Sequence, residues 1–240
     1  MRWGILLSTL LSLQLIMVPL SAQEPGAGKA EPPAEVDRSV VGLKNLRAIA
    51  LGVHTFSDTH KGLPPAYVAS ADGKPNLSWR VLLLPYIGEK ELYAQFHLDE
   101  PWNSDHNKEL VSRMPGIYAS PSGKAGEGKT IYLGVGGPEG VFLPPTENGV
   151  KWGRTLGFKD ITDGTSNTLL VVEVADDSAV TWTQPDTEYQ WKAADPFHDL
   201  PLDNFLAGRV DGSATKFTRV LKAEDWESLL NRRDGKVVSR

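Results

Sequence analysis

Residues 39–56 read SVVGLKNLRAIALGVHTF, and their apolar side chains recur at intervals of three and four. This interval predicts an α-helix with one apolar face, because the helix makes one turn about every 3.6 residues. Ser39 is a favourable N-cap residue, and Gly62 followed by Pro64 and Pro65 predicts where the helix ends. The predicted apolar face consists of Val40, Leu43, Leu46, Ile49, Ala50, Val53 and Phe56.

Further short helices are predicted downstream of this first one. Ser78 is a suitable N-cap for the stretch WRVLLLPYIGEKELYAQF, which Pro85 and Gly88 should break into two pieces. A third short helix is expected from Ser104 to about Val111. A last amphipathic helix is predicted over residues 223–231, with an apolar face made of Trp226, Leu229 and Leu230.

The second half of the chain is predicted to consist mainly of β-strands. From Thr130 onward, the runs TIYLGV, GVFLP, NTLLVVEVA and VTWTQ alternate with Gly, Pro and Asn, which favours an antiparallel sheet. Asp-Gly pairs begin at positions 72, 163, 211 and 234 and predict turns, because both residue types tolerate positive φ. Helices followed by strands predict one α+β domain over residues 39–240, with helices packed on one face of the sheet.

The N-terminus indicates export. Met1 and Arg2 precede an uncharged run over residues 3–20, and Ser21 and Ala22 complete a small-residue cleavage site, which predicts a signal peptide over residues 1–22. The alternative is an uncleaved membrane anchor, because an 18-residue run is near the lower limit for crossing a bilayer. Residues 23–38 are rich in Pro, Ala, Gly and Glu and predict a disordered tether. The mature protein is therefore expected in the periplasm, at the cell surface or outside the cell, without stable membrane insertion once the signal is removed.

Composition narrows the classes of function. The formal charge is −5, and it becomes −6 without residues 1–22 because Arg2 is their only charge, so nucleic acid is an unsuitable partner. Cysteine is absent, which excludes disulfides, thiolate nucleophiles and thiolate metal ligands. The sequence contains no Gly-rich phosphate loop and no Ser-His-Asp series, so we predict no cofactor, no catalytic residues and no enzyme activity.

The stretch KDITDGTSNT admits two interpretations. Asp163 and Gly164 are typical of a tight turn, and the hydroxyl and amide groups that follow can bond their own backbone before a strand begins. The alternative is a Ca²⁺ site, because such an ion binds several oxygen ligands at once. The candidate ligands are Asp160, Asp163, Thr165 and Asn167, whose spacing does not match an EF-hand loop.

Histidines and tryptophans supply the other candidates. His97 and His106 lie among carboxylates, but their spacing does not match known zinc sites. His54 and His60 do not share a helix face, and we expect them to bond the last carbonyls of the first helix. The late tryptophans are candidates for stacking on a ligand, although core packing is the simpler role. They are Trp152, Trp182 and Trp191.

Four long segments in order resemble a known bacterial family. They read NLRAIALGVHTFSDTHKGLPPAY, SWRVLLLPYIGEKELYAQFHLDEPWNSDHNKEL, DITDGTSNTLLVVEVAD and VDGSATKF, and the resemblance covers residues 40–217. The family is the extracytoplasmic domain-of-unknown-function family 1559, also described as prepilin-associated with an H-x9-DG C-terminal domain and labelled solute-binding. The resemblance implies a pilin-like core, in which a long N-terminal helix lies on an antiparallel sheet.

Two features depart from that family's pattern. A signal peptide and a Pro-rich tether stand where members have a prepilin leader that continues into the first helix. His198 precedes Asp211-Gly212 by twelve residues rather than nine, so the role of the family's histidine is not carried over to His198.

We therefore predict an exported, non-enzymatic interaction domain of the cell envelope or surface, related to pseudopilins, with envelope or surface proteins as partners. The alternative is an extracytoplasmic module that binds a solute or glycan. A pocket lined by two or more late tryptophans would favour ligand binding. An exposed apolar patch on the first helix, without a pocket, would favour protein interaction.

Overall fold

The computed structural model describes Met1, residues 37–145 and residues 156–238. The predicted signal peptide after Met1 and the tether as far as residue 36 lie outside these residues, and so does Trp152. The strands are β1 (Tyr67–Ala69), β2 (Pro75–Ser78), β3 (Lys129–Thr130), β4 (Tyr132–Gly134), β5 (Leu169–Glu173), β6 (Val180–Thr181), β7 (Asn204–Arg209) and β8 (Ala214–Thr218). The α-helices are α1 (Arg38–His60), α2 (Trp79–Leu82), α3 (Lys90–Tyr93) and α4 (Ala223–Leu230).

Helix α1 confirms the predicted first helix but begins slightly earlier. Its N-cap is Asp37 rather than Ser39, because the Asp37 carboxylate accepts a hydrogen bond of 2.9 Å from the backbone N–H of Ser39. Lys61, in the left-handed conformation at φ 61°, ends the helix. The predicted apolar face is buried except for partly buried Leu43 and exposed Val40. Val40 precedes Leu46 by six residues, which rotates it about 120° away from the buried face.

The main sheet has the order β4-β5-β7-β8, and every pairing in it is antiparallel. Helix α1 packs on β7 and β8. This approach depends on Gly42, because a Cβ added there would lie 2.5 Å from Cδ1 of Leu206 on β7. The neighbouring residue Phe205 points to the opposite face, where its ring lies 5.1 Å from the ring of Trp226 on α4. Helices therefore cover both faces of the sheet rather than one.

The α+β class is confirmed, while the likeness to pilins stays a prediction. Two smaller antiparallel pairs, β1 with β2 and β3 with β6, flank the main sheet. The predicted run GVFLP does not form a strand, because its Val141 and Phe142 turn back and donate both backbone N–H groups to the carbonyl of Val135. The predicted run VTWTQ is strand only over β6.

The short helices occur where the sequence predicted them. The Ser78 hydroxyl accepts from the N–H of Arg80 at the start of α2, and a 3₁₀ turn over Leu84–Tyr86 separates α2 from α3. The third helix is a 3₁₀ helix over Asn107–Arg113. None of the described helices has the length and apolar character needed to cross a bilayer.

The predicted Asp-Gly turns are confirmed. Their glycines have positive φ values of 83° at Gly73, 96° at Gly164, 88° at Gly212 and 76° at Gly235. The first joins β1 to β2 and the third joins β7 to β8. The other two contact each other, and that contact leads to the candidate site.

Candidate functional site

Asp163 ties the C-terminal segment to the turn before β5. Its side chain is nearly buried, at 8% exposure. Its two carboxylate oxygens accept hydrogen bonds from the backbone N–H groups of Asp234, at 2.6 Å, and Gly235, at 2.9 Å. The N–H of Asp163 also donates to the carbonyl of Arg232 at 3.2 Å. The carboxylate thus holds the backbone of a second Asp-Gly turn, which favours the turn interpretation over the Ca²⁺ interpretation.

The other Ca²⁺ candidates have local partners. The Asp160 carboxylate accepts from the N–H of Gly157 at 2.8 Å. The Asn167 side chain donates to the carbonyl of Asp163 at 2.9 Å, and the carbonyl of Thr165 accepts from the N–H of Asp211 at 3.1 Å. Within the described ranges, no group of three or more His, Cys, Asp or Glu residues is placed to hold a metal ion.

The C-terminal segment in turn fixes residues 136–140, which we call the glycine loop. The Arg232 guanidinium donates to the carbonyls of Pro138 and Gly140, both at 2.8 Å. The Arg233 guanidinium forms a bidentate pair with the Glu139 carboxylate at 2.6 and 3.1 Å. The loop conformation is therefore held by side chains that lie more than ninety residues later in the sequence.

The glycine loop packs directly on the strand-like segment that contains Glu188 and Tyr189. The N–H of Gly136 donates to the carbonyl of Tyr189 at 2.9 Å. A Cβ added at Gly136 would lie 2.5 Å from the Cβ of Glu188, so no larger residue fits there without displacement. Glycine at this position brings the loop against Glu188.

Two cavities flank the glycine loop and share Gly137, Pro138 and Gln190 in their walls. We call them together the loop groove. The first, of about 190 Å³, is also lined by Trp191, Glu227 and Asn231. The second, of about 220 Å³, is also lined by Tyr67, Asp186 and Glu188. Each cavity alone is smaller than the roughly 300–1,000 Å³ that is typical of small-molecule sites.

Glu188 is a partly buried carboxyl side chain that lines the second cavity of the groove. Its Oε1 atom is buried and has no hydrogen-bond partner among the described residues. Burial raises the pKa of Glu188 to about 7, although the Arg80 guanidinium acts in the opposite direction. Burial, with Asp186 and Glu188, also raises the pKa of the Tyr67 phenol. This acceptor oxygen is thus buried without a hydrogen-bond partner among the described residues, in a side chain that lines the second cavity.

Arg80 forms no ion pair with Glu188 among the described contacts, and it donates four hydrogen bonds to other groups. The fully buried guanidinium donates to the carbonyl of Tyr132 at 3.2 and 2.8 Å, to Ser78 Oγ at 2.9 Å and to Thr187 Oγ1 at 3.3 Å. Burial lowers the pKa of Arg80 to about 10, so it remains protonated at neutral pH. It contributes a positive potential at Glu188 without a direct ion pair between them.

The tryptophan candidates separate into different environments. Trp182 is fully buried, and its Nε1–H donates to the carbonyl of Val111 at 2.9 Å, so it is a core residue. Trp191 is partly exposed and lines the loop groove. Trp152 lies outside the described residues. Only one late tryptophan of the described chain, rather than two, therefore lines this groove.

Four of the histidine rings contact neighbouring protein groups. The rings of His97 and His106 stack with centroids 3.6 Å apart, and His97 Nδ1 lies 2.9 Å from the Glu100 carboxylate. The Nε2 atom of His54 lies 2.7 Å from the carbonyl of Val210 on the sheet side, and that of His60 lies 2.6 Å from the Tyr86 hydroxyl. The expected bonds from these two rings to the last carbonyls of α1 are therefore not the ones observed.

His198 packs on Tyr189, the residue that follows Glu188. Its ring stacks on Tyr189 with a centroid distance of 4.6 Å. Its Nδ1 atom lies 3.0 Å from the carbonyl of Asp195. These contacts give His198 a packing role beside the strand-like segment that carries Glu188.

A larger cleft of about 480 Å³ lies at the start of α1. It contains Glu173, whose Oε2 accepts from the N–H of Leu206 at 2.9 Å, and burial together with Asp176 raises the pKa of Glu173 to about 7. The Asp176 oxygens accept from the Ser120 and Ser122 hydroxyls, both at 2.6 Å. These carboxylates already have partners, and Arg38 and Lys216 also line the cleft. The loop groove is therefore the stronger candidate site.

Sequence reasoning found Trp191 but missed Glu188, Gln190 and the glycine loop. The run GGPEG at 136–140 was the available signal, because clustered glycines mark close approaches of the backbone. A family model labelled SBP_bac_10 and described as "Protein of unknown function (DUF1559)" matches residues 38–235. Searches of curated proteins and of solved structures found no match to the chain.

Proposed function

The chain belongs to the family of proteins of unknown function DUF1559, and on that basis we propose that it is an exported, non-enzymatic binding domain of the cell envelope. The N-terminal run of the sequence supports export, and the solute-binding label of the family supports binding. The packing of α1 on an antiparallel sheet supports a relation to pseudopilins.

The observation that carries the binding proposal is the unpartnered Oε1 of Glu188 beside the loop groove. Buried polar atoms in folded proteins almost always have a partner, so an acceptor without one at a cavity is suited to a ligand. The exposed side of α1 gives less support for a protein interface. Its large exposed apolar residues, Val40 at 61% and Leu51 at 66%, lie about three helical turns apart and form no continuous patch.

Cell fractionation of the full-length chain, tagged at its C-terminus, tests this proposal. We expect the protein in the extracytoplasmic fraction, with Gln23 as its first residue. Full-length protein confined to the cytosol would contradict export. Affinity capture by the mature protein from its own envelope then asks whether the bound species is a protein or a solute.

A further inference from the structure

We propose that the loop groove binds an uncharged, hydroxyl-rich solute, namely a glycan segment, with Trp191 against a sugar ring and Glu188 accepting a hydrogen bond from a sugar hydroxyl. This inference rests on the proposed binding function and specifies the ligand class. It joins four properties of the groove: an acceptor in need of a donor, the signs of its charges, an exposed aromatic ring and a fixed wall.

The acceptor determines what the ligand must offer. Glu188 Oε1 has no described partner, and an unpaired buried carboxyl oxygen is unfavourable. Most of the neighbouring polar side chains in the groove also present acceptor oxygens; they are Asp186, Gln190, Glu227 and Asn231. A ligand rich in hydroxyl groups supplies several donors at once.

The charges of the described lining residues disfavour an anionic ligand. The described walls of the groove carry Asp186, Glu188 and Glu227 and contain no Lys, Arg or His, so a phosphate or carboxylate ligand would meet mainly like charge. The same carboxylates would attract a cationic amine, which the buried positive charge of Arg80 would oppose only in part. A neutral hydroxyl donates to Glu188 without this repulsion.

The aromatic side chains suit the same ligand. Trp191 presents part of its indole to the groove, and Tyr67 presents a half-buried phenol at the other cavity. Such rings offer a flat apolar surface with a polar group at the edge. A sugar ring, with C–H groups on its faces and hydroxyls on its rim, matches this combination.

The wall between the cavities is held in place before a ligand arrives. Arg232 and Arg233 fix the glycine loop, and Asp163 fixes the segment that carries both arginines. A fixed wall favours binding, because less conformational freedom is lost when the ligand is immobilised.

Isothermal titration calorimetry on the mature protein tests the proposal directly. The probes are neutral di- and trisaccharides of glucose, mannose and N-acetylglucosamine, with choline and inorganic phosphate as cationic and anionic comparison ligands. The variants are Trp191→Ala and Glu188→Gln, and the matched control is Glu224→Gln on the exposed surface of α4. We expect at least one saccharide to bind, with affinity lowered about tenfold or more in Trp191→Ala, lowered less in Glu188→Gln because the amide keeps one acceptor oxygen, and unchanged in the control.

The variants also report their own folding. Glu188→Gln removes a buried ionisable group and should melt no lower than the wild type at pH 7.5, so its loss of affinity would not reflect unfolding. Trp191→Phe keeps an aromatic face and should recover most of the affinity lost in Trp191→Ala.

Three results would overturn the glycan proposal. They are the binding of no saccharide, saccharide binding that neither groove variant weakens, and preferential binding of choline or phosphate. The first and third leave an exported binding domain intact. Release of free monosaccharide during the titration would instead contradict the non-enzymatic function while keeping the ligand class.

Discussion

Replacement of Asp163 should loosen both the C-terminal segment and the glycine loop. The carboxylate accepts two backbone hydrogen bonds, from Asp234 and Gly235, in a nearly buried position. Asp163→Ala removes both acceptors and leaves two N–H groups without their partners. Asp163→Asn keeps one carbonyl oxygen but places an NH₂ group opposite an N–H donor.

The magnitude follows from these two bonds. A hydrogen bond to a charged group contributes about 1.5–3 kcal/mol, and the partial exposure of the partners places the total for Asp163→Ala at about 3 kcal/mol. For a domain of this size, that loss lowers the melting temperature by ~6–12 °C. Asp163→Asn should lose about half as much. Turn geometry alone would have predicted a mild effect, because Asn tolerates turns as well as Asp does.

Differential scanning calorimetry measures the effect, with Asp211→Ala as the matched control. Asp211 also begins an Asp-Gly turn, but among the described residues its exposed carboxylate accepts from the N–H of Ser213 alone, at 2.8 Å. We expect the control to cost less than about 1 kcal/mol, because water replaces an exposed bond. Hydrogen exchange should also be faster at residues 136–140 in Asp163→Ala. Equal melting temperatures for Asp163→Ala and Asp211→Ala would refute the role assigned to this carboxylate.

Four further variants or conditions have expected outcomes. Leu46→Asp should unfold the domain because it buries an unpaired charge. Lys44→Asp, on the exposed side of α1, should leave the melting temperature nearly unchanged. Equal effects of the two variants would contradict the assignment of Leu46 to the buried face of α1. Gly164→Val should cost about 1–3 kcal/mol in chemical denaturation because φ is 96° at this position, and an unaltered midpoint would contradict that conformation. The pKa of Glu173 is about 7 in the folded state, above its ordinary value of 4.5, so the native state binds this proton more tightly than the unfolded state does. The free energy of unfolding should therefore fall as the pH rises from about 4.5 to about 7. Denaturant titrations of Glu173→Gln should show a smaller decline over that window, and an identical pH profile would contradict it. Chelator should leave the wild-type melting temperature unchanged, because the Asp163 carboxylate bonds backbone N–H groups rather than a metal ion. A decrease that Asp163→Asn abolishes would indicate a Ca²⁺ site instead.

Local patterns were sufficient to predict the helices and turns. The spacing of apolar residues in α1, the cap at Ser78 and the breaks at Pro85 and Gly88 act over a few residues, and the structure confirms them. Strand β5 is a continuous apolar run and was equally visible.

The strands that complete the sheet were harder to predict. Strand β7 reads NFLAGR, where Ala and Gly weaken the strand signal. Gly208 faces Leu46 across the helix–sheet contact. Strands β1 and β2 are only three and four residues long, and Pro75 begins the second.

The candidate site could not be read from local patterns. The residues next to Glu188 in the sequence give no sign that its side chain is buried. Its Oε1 atom is buried because Gly136, more than fifty residues earlier, allows the glycine loop to pack against it. The hydrogen bonds that hold that loop come from Arg232 and Arg233 near the C-terminus. Such contacts between distant segments have no periodic signature in one sequence.

The most direct test of the groove is an NMR titration of the mature wild-type protein with the saccharide that binds best, observed at the tryptophan indole N–H resonances and the backbone amides. The groove predicts a saturable shift of the Trp191 indole and of the amides at residues 136–140 and 188–190, with the buried Trp182 indole unchanged. Shifts confined to Ser120, Glu173 and Asp176 in the cleft at the start of α1, with the Trp191 indole unmoved, would contradict the account.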